Sequence, residues 1–293
     1  ITPGGKPTMY FAISMFGEPG AEIIYPTPGF PVYESMINYT GSKAVPYNLL
    51  DKKDLRFDPE KVLSLINEKT RMIVIINPNN PTGSFVERSA IDYLAEKLKK
   101  YPNIIIFSDE IYSRQIFDDK EMPSFFNYPE LKDRIIILDG WSKTYAMTGW
   151  RLGWSYWPEK CMDHIVKLIT NSVSCVNVPT QYAGIAALDG PDDSINLMMK
   201  EFTQRRNLIH KLLNDLPGVE CSLPGGAFYA FPKVKGTGMS GAEFAKKCMY
   251  EAGVAIVPGT AFGSTAQDFV RFSFAASSEN ISQALENIKK MLG

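Results

Sequence analysis

The chain has 293 residues, 45% of them hydrophobic, with 22 glycines and 20 prolines, which suits a folded protein of one large or two ordinary domains. Its formal net charge is −1, from 31 basic and 32 acidic residues, so no basic stripe argues for nucleic acid and no polybasic tract for a membrane. No apolar run approaches the ~20 residues needed to span a bilayer, no signal-peptide pattern stands at the start, and a cytoplasmic protein is expected.

In chain order, "ITPGGKPTMYF" is a glycine loop feeding an apolar helix over 7–16. A domain rarely begins in this way, so a further N-terminal segment is expected ahead of it. Strand "EIIYP" (22–26) follows, then helices at 30–40 and 58–68, strand "RMIVIINP" (71–78) and a helix over 87–101. Strands "NIIIFSDE" (103–110) and "RIIILDG" (134–140) come next, followed by "RLGWSYW" (151–157). The isoleucine-rich runs do not alternate with polar residues, as expected of strands covered on both faces. Strands interleaved with helices predict an α/β fold of three layers about a mostly parallel sheet.

From Asp192 the pattern changes. "DDSINLMMKEFTQRRNLIHKLLNDLPG" reads as one long helix, with Ile195, Met198, Phe202, Ile209, Leu212 and Leu216 along one face and Pro217-Gly218 as its stop. Strand candidates at 227–234, 254–259 and 268–275 and helices at 241–253 and 279–292 complete a smaller α+β unit. The expected organisation is a large domain over 1–191, an interdomain helix over 192–216 and a small domain over 217–293.

Several patterns exclude other chemistry. The cysteines at 161, 175, 221 and 248 are scattered with no C-x-x-C, and read as reduced thiols, neither a disulfide frame nor a zinc site. The sequons at Asn38 and Asn280 read as chance matches in a protein of that compartment. His164 and His210 are the only histidines and lie in polar, helical stretches, so neither a histidine-based triad nor a metal site is expected. "GTGMSG" (236–241) has dinucleotide-loop spacing, but the strand after it ends without the required acid. It reads better as a loop closed by a capping box, Ser240 with Glu243. "NIIIFSDE" resembles a nucleotide-binding Mg²⁺ strand, but the G-x-x-x-x-G-K-[ST] loop is missing.

What remains are four short motifs. "GGK" (4–6) opens a helix, while "NPNNPTG" (77–83), "SDEIY" (108–112) and "SK" (142–143) each follow or end an apolar strand. Arg151 lies eight positions after Lys143, in "GWRLG". Ligands of such sheets bind at the carboxyl ends of the strands, so all four motifs should meet in one crevice. Together they resemble the class I/II aminotransferases of fold type I, in particular the prokaryotic aspartate-type branch, over the chain from Gly4 to its C-terminus.

The resemblance implies pyridoxal 5′-phosphate as cofactor, amino-acid and 2-oxo-acid substrates and a homodimer. Lys143 would form the Schiff base and then shuttle the substrate proton, both of which need an amine made neutral by burial and a nearby cation. Asp109 would hold a proton on the pyridine nitrogen and make the ring an electron sink. Asn80 and Tyr112 would hydrogen-bond the ring hydroxyl oxygen. Arg151 would grip the phosphate, with the backbone N–H groups of Gly4, Gly5 and Lys6 at a helix N-terminus and the hydroxyl of Ser142. Gly140 stands where the family often has a phosphate-binding serine. Phe30 matches the aromatic stacked on the ring, with a plain core phenylalanine as its alternative. Arg271, in "DFVRFSFA", matches the arginine for the substrate α-carboxylate; a charge inside an apolar strand is costly unless paired. Asn80 and Lys6 would also face substrate, Lys6 reading a side-chain carboxylate or else standing as a surface lysine. Aspartate is therefore the first expected substrate. A carbon–sulfur β-lyase, the effector domain of a transcription regulator and an inactive fragment are the alternatives.

Overall fold

The computed structural model describes residues 1–52 and 54–293. A six-stranded sheet is built from β1 (Glu22–Thr27), β2 (Lys43–Asn48), β3 (Thr70–Ile76), β4 (Ile105–Asp109), β5 (Ile135–Gly140) and β6 (Gly153–Tyr156), in the spatial order β2-β1-β3-β4-β5-β6. Every pairing is parallel except β5 with β6. Helices α1 (Lys6–Phe16), α2 (Val32–Tyr39), α3 (Pro59–Ser64), α4 (Arg88–Leu98), the single turn α5 (Trp141–Thr144), α6 (Met162–Ser172) and α7 (Val178–Asp189) belong to this part of the chain.

Side chains alternate across a strand, and here both faces are apolar. Ile23, Met72, Val74, Phe107 and Leu138 pack under α1, α2 and α6, whereas Ile24, Ile73, Ile75, Ile106 and Ile137 pack under α3 and α4. This accounts for the unbroken isoleucine runs and confirms the three layers. β2 was not among the expected strands. It is an edge strand with mostly exposed or half-buried residues and a proline, Pro46, at its centre, and prolines are tolerated at edges. The helical stretch expected around His164 is α6, whereas α7 was not expected, and α3 is shorter than expected.

The rest of the chain forms a second sheet, in the order β7-β9-β8, from β7 (Tyr229–Ala230), β8 (Val257–Pro258) and β9 (Val270–Ser273). α8 (Asp193–Asn214), α9 (Gly241–Lys247) and α10 (Ser278–Leu292) share a core with it. On α8 the buried positions are Ile195, Phe202, Arg206, Ile209 and Leu213, so Leu213 replaces Leu212 as the deepest residue near the C-terminal end. Arg206 is tolerated on this apolar face because both its terminal nitrogens donate to Asp118, each at 2.8 Å. The strand expected over 227–234 is regular over two residues only. "GTGMSG" ends, as expected, in a capping box: Ser240 Oγ accepts from Glu243 N and Glu243 accepts from Ser240 N.

One backbone strap joins the second sheet to the first. The N–H groups of Gly225 and Gly226 both donate to Gly83 O, at 2.9 and 3.0 Å, and Ala227 N donates to Gln115 O at 2.8 Å. This carries Phe228 and Tyr229 to the carboxyl ends of β4 and β5.

Candidate active site

At the carboxyl ends of β3, β4 and β5 lies a cavity of about 560 Å³, within the usual size of small-molecule sites. Its lining includes Gly5, Lys6, Phe30, Asn80, Asp109, Tyr112, Ser142, Lys143, Arg151 and Arg271. Gly4 reaches it through Arg151: a Cβ on Gly4, which has φ +80°, would lie 2.2 Å from the arginine Nη2. Every residue singled out from the sequence is thus brought to one place. A larger cavity of about 1040 Å³, bordered by Leu50, Arg56, Asn214 and Lys233, contains none of them.

The motifs have separable local reasons. In "NPNNPTG", Asn77 Oδ1 accepts from Val86 N at 2.9 Å and Asn79 Oδ1 accepts from Thr82 Oγ1 at 2.9 Å. Both asparagines shape the turn and leave Asn80 to face the crevice. Gly83 closes it at φ +68°, with the Tyr229 carbonyl so near that a Cβ would sit 2.4 Å from it. In "SDEIY", Ser108 and Glu110 bond each other on one side of the strand end. Asp109 points to the other side, where its Oδ2 accepts from Tyr33 Oη at 2.6 Å and its Oδ1 from Ile111 N at 3.3 Å. The glycine loop pairs with β6 through reciprocal 2.9 Å bonds between Thr2 and Gly153. A side chain at Gly153 would strike the Gly4 backbone, which explains the second glycine of "GWRLG".

Gly140 has a local reason too. A Cβ there would stand 2.9 Å from both Gly153 Cα and Leu152 O. The close approach of β5 and β6 in this chain leaves no room for a serine at that position without moving backbone.

The electrostatics single out three groups. Asp109 is buried, and burial pushes its carboxyl up to about 6, against the pull of its bonds from Tyr33 and Ile111. The Lys143 amine is held below the ordinary lysine range, first by desolvation and then by the charges of Arg151 and Arg271. It stands 5.3 Å above the Phe228 ring, while its backbone carbonyl accepts from Gln115 Nε2 at 3.0 Å. Arg271 donates to Asn80 Oδ1 at 2.9 Å and lies between the rings of Tyr229 and Phe262. Its Nε is buried without a partner.

These observations test the site for pyridoxal phosphate. A buried carboxylate held by a hydroxyl and an amide N–H is suited to a protonated ring nitrogen. A glycine loop at the start of α1, packed on an arginine, suits a phosphate. A desolvated amine and a half-satisfied arginine suit an aldehyde and a carboxylate. The residues present fit the group.

Comparison with known proteins decides the family. The profile described as "Aminotransferase class I and II" matches residues 1–288. The chain belongs to the class I and II aminotransferases. An aspartate aminotransferase of Pyrococcus horikoshii is 36% identical over 297 residues, covering 100% of this chain and 74% of the relative. A (5-formylfuran-3-yl)methyl phosphate transaminase of Methanocaldococcus jannaschii is also 36% identical, covering 100% and 74%. Among solved structures, an aromatic aminotransferase from Pyrococcus horikoshii superposes with TM-score 0.94 at 32% identity, over 99% of this chain and 78% of that one. The protein is therefore a transaminase of fold type I, in a family that uses pyridoxal phosphate, and its relatives differ in substrate.

Four residues of this aminotransferase's crevice escaped sequence reasoning: Tyr33, Gln115, Phe228 and Tyr229. Tyr33 and Tyr229 lie 76 and 117 residues from their hydrogen-bond partners Asp109 and Tyr112. The one local signal was "AFYAF", an aromatic pair entering a strand next to a glycine turn.

Proposed function

We propose that this aminotransferase holds pyridoxal phosphate on Lys143 and moves an amino group between an L-amino acid, aspartate foremost, and a 2-oxo acid. The observation that carries the reading is the meeting of a desolvated lysine, a buried carboxylate with no cationic partner among the described residues and a half-satisfied arginine in one crevice.

When bound, the cofactor supplies an electron-withdrawing ring next to the substrate Cα. Asp109 holds a proton at the ring nitrogen and is itself kept oriented by Tyr33. Arg151, the Ser142 hydroxyl and the N–H groups of Gly4, Gly5 and Lys6 hold the phosphate. Tyr112 and Asn80 donate to the ring hydroxyl oxygen. Asn80 has its amide fixed for that task, because its carbonyl is already taken by Arg271. Arg271 binds the α-carboxylate and so aims the Cα–H bond at Lys143. The Lys143 Nζ, whose proton affinity is lowered by burial and by two neighbouring cations, accepts that proton and returns it. Phe30 would stack on the ring, and the Lys6 amine stands 5.9 Å from its centroid. Lys6 is exposed at the mouth, in place to meet a second carboxylate; this supports aspartate over alanine. The lyase and regulator readings gain no support from the crevice.

We further propose a homodimer. The outer face of α7 leaves Val178, Tyr182, Ile185 and Leu188 exposed, and Trp141 Nε1 donates to Gly184 O of the same helix at 3.0 Å, so covering this face would brace the Lys143 turn. A fully active monomer in light scattering would contradict it. The cysteines are free, which supports placement in a reducing compartment such as the cytoplasm.

The cofactor assignment is tested by borohydride reduction and peptide mapping. The expected result is a visible absorption band that bleaches, with the label on the peptide containing Lys143. A label on another lysine, or none, overturns it.

A further inference from the structure

We propose that Tyr229 is a positioning residue that links the arginine of the substrate carboxylate to the tyrosine beside the reactive lysine. The inference rests on the crevice holding pyridoxal phosphate at Lys143.

Tyr229 makes two contacts of different kinds. Its hydroxyl lies 3.0 Å from that of Tyr112, with both groups buried and the rings nearly perpendicular at 83°. Its ring face carries the Arg271 guanidinium 4.4 Å from the centroid. A phenol has one proton to donate, so the pair has a direction. If Tyr112 donates to Tyr229, its proton is spent inside the protein. If Tyr229 donates, the Tyr112 proton is free to point into the crevice that Tyr112 also lines. The cation on the Tyr229 ring draws electron density from that phenol, and no such cation is stacked on Tyr112. Tyr229 is therefore the better donor, and the direction is Tyr229 to Tyr112.

That direction has a consequence at the lysine. A hydroxyl that accepts one hydrogen bond donates a stronger one. Tyr112 then binds more firmly to the ring hydroxyl oxygen of the cofactor. The more that oxygen's negative charge is satisfied by Tyr112, the less it holds a proton on the neighbouring Lys143 nitrogen. The hydroxyl of Tyr229 thus lowers the proton affinity at Lys143, while its ring is a platform for Arg271. The charged and titratable groups around that nitrogen are Lys6, Asp109, Tyr112, Arg151, Tyr229 and Arg271, and Tyr229→Phe leaves the other five in place.

The experiment uses holoenzyme and two readouts besides turnover. The first is the pH titration of the visible band in wild type, Tyr229→Phe, Tyr112→Phe and the double variant. In Tyr229→Phe the midpoint should rise by about half a unit to one unit, the size set by one neutral hydrogen bond. On the Tyr112→Phe background the second substitution should add no shift. The second readout is the dissociation constant of maleate, a dicarboxylate that cannot react. It should stay within about threefold in Tyr229→Phe, which keeps the ring, and weaken roughly tenfold in Tyr229→Leu, which removes it. An unchanged midpoint in Tyr229→Phe overturns the hydroxyl link while leaving the cofactor reading intact. A shift that persists without the Tyr112 hydroxyl overturns the route through Tyr112. Equal maleate binding in Tyr229→Leu overturns the platform. A wild type with no visible band overturns the cofactor reading and this proposal together.

Discussion

At the floor of the crevice, Asp109 closes a strand buried on both faces, and its carboxyl is pushed up to about 6 by desolvation. At the mouth, Lys6 and Arg151 stand exposed. Arg271 lies between these extremes, half-buried between two rings with one nitrogen unpartnered. The same unit of charge is therefore held at very different cost. A buried ionised group without a counter-charge destabilises the fold, and the fold retains it where a bound ligand can compensate. An exposed lysine costs the fold little, and it can contribute only a solvent-screened contact.

The sharpest test of this gradient is Arg271→Leu. It removes the cation proposed to pair with the α-carboxylate and leaves Asn80 Oδ1 without its donor. The expected loss in kcat/KM is about 2–5 kcal/mol, or roughly 30-fold to several-thousand-fold. It should be similar for aspartate and alanine, since both carry the group. A loss confined to one of them in steady-state kinetics would remove Arg271 from the carboxylate site.

Asp109→Asn tests the floor in the cofactor-free protein. An acid whose folded pKa is raised contributes its full stability below the unfolded pKa and loses it as pH rises through the folded value. The window here runs from about pH 4 to above 6. Removing the ionisable group should therefore stabilise the cofactor-free fold at pH 8 by up to about 3 kcal/mol, from a shift of about two units. The gain should vanish near pH 4, and urea unfolding at the two pH values measures it. Destabilisation at pH 8 would show that the carboxylate is better compensated than its two partners imply.

Lys6→Ala should have the smallest effect. An exposed ion pair is worth up to about 1 kcal/mol, so aspartate should lose roughly fivefold in kcat/KM and alanine nothing. Equal losses would make Lys6 a part of the phosphate loop alone and remove the main support for aspartate.

Much of the fold was legible because its signals are local. Runs such as "MIVII" and "NIIIF" report burial on both faces, and "SGAEF" (240–244) after a glycine loop reports a helix start through hydrogen bonds spanning three residues. The strand that escaped notice lacks such a signal: β2 carries Pro46 and is exposed at the edge. The strands expected over 227–234 and 254–259 shrink to the two residues each of β7 and β8. α7 shows weak amphipathicity to a reader of sequence, because its outward face is as apolar as its inward one.

By itself the sequence determined which chemical groups stand at the ends of which strands. Lys143, Asp109, Asn80 and Tyr112 are placed by short motifs whose turns are fixed by neighbouring residues. Tertiary structure alone decided what those groups experience. The desolvation of Asp109, its bond from Tyr33, the two rings that sandwich Arg271 and the hydroxyl contact between Tyr229 and Tyr112 all come from chain segments far apart in sequence. A pKa or a hydrogen-bond direction depends on everything within a few ångströms of an atom, and chain order carries no record of which distant residues will be there.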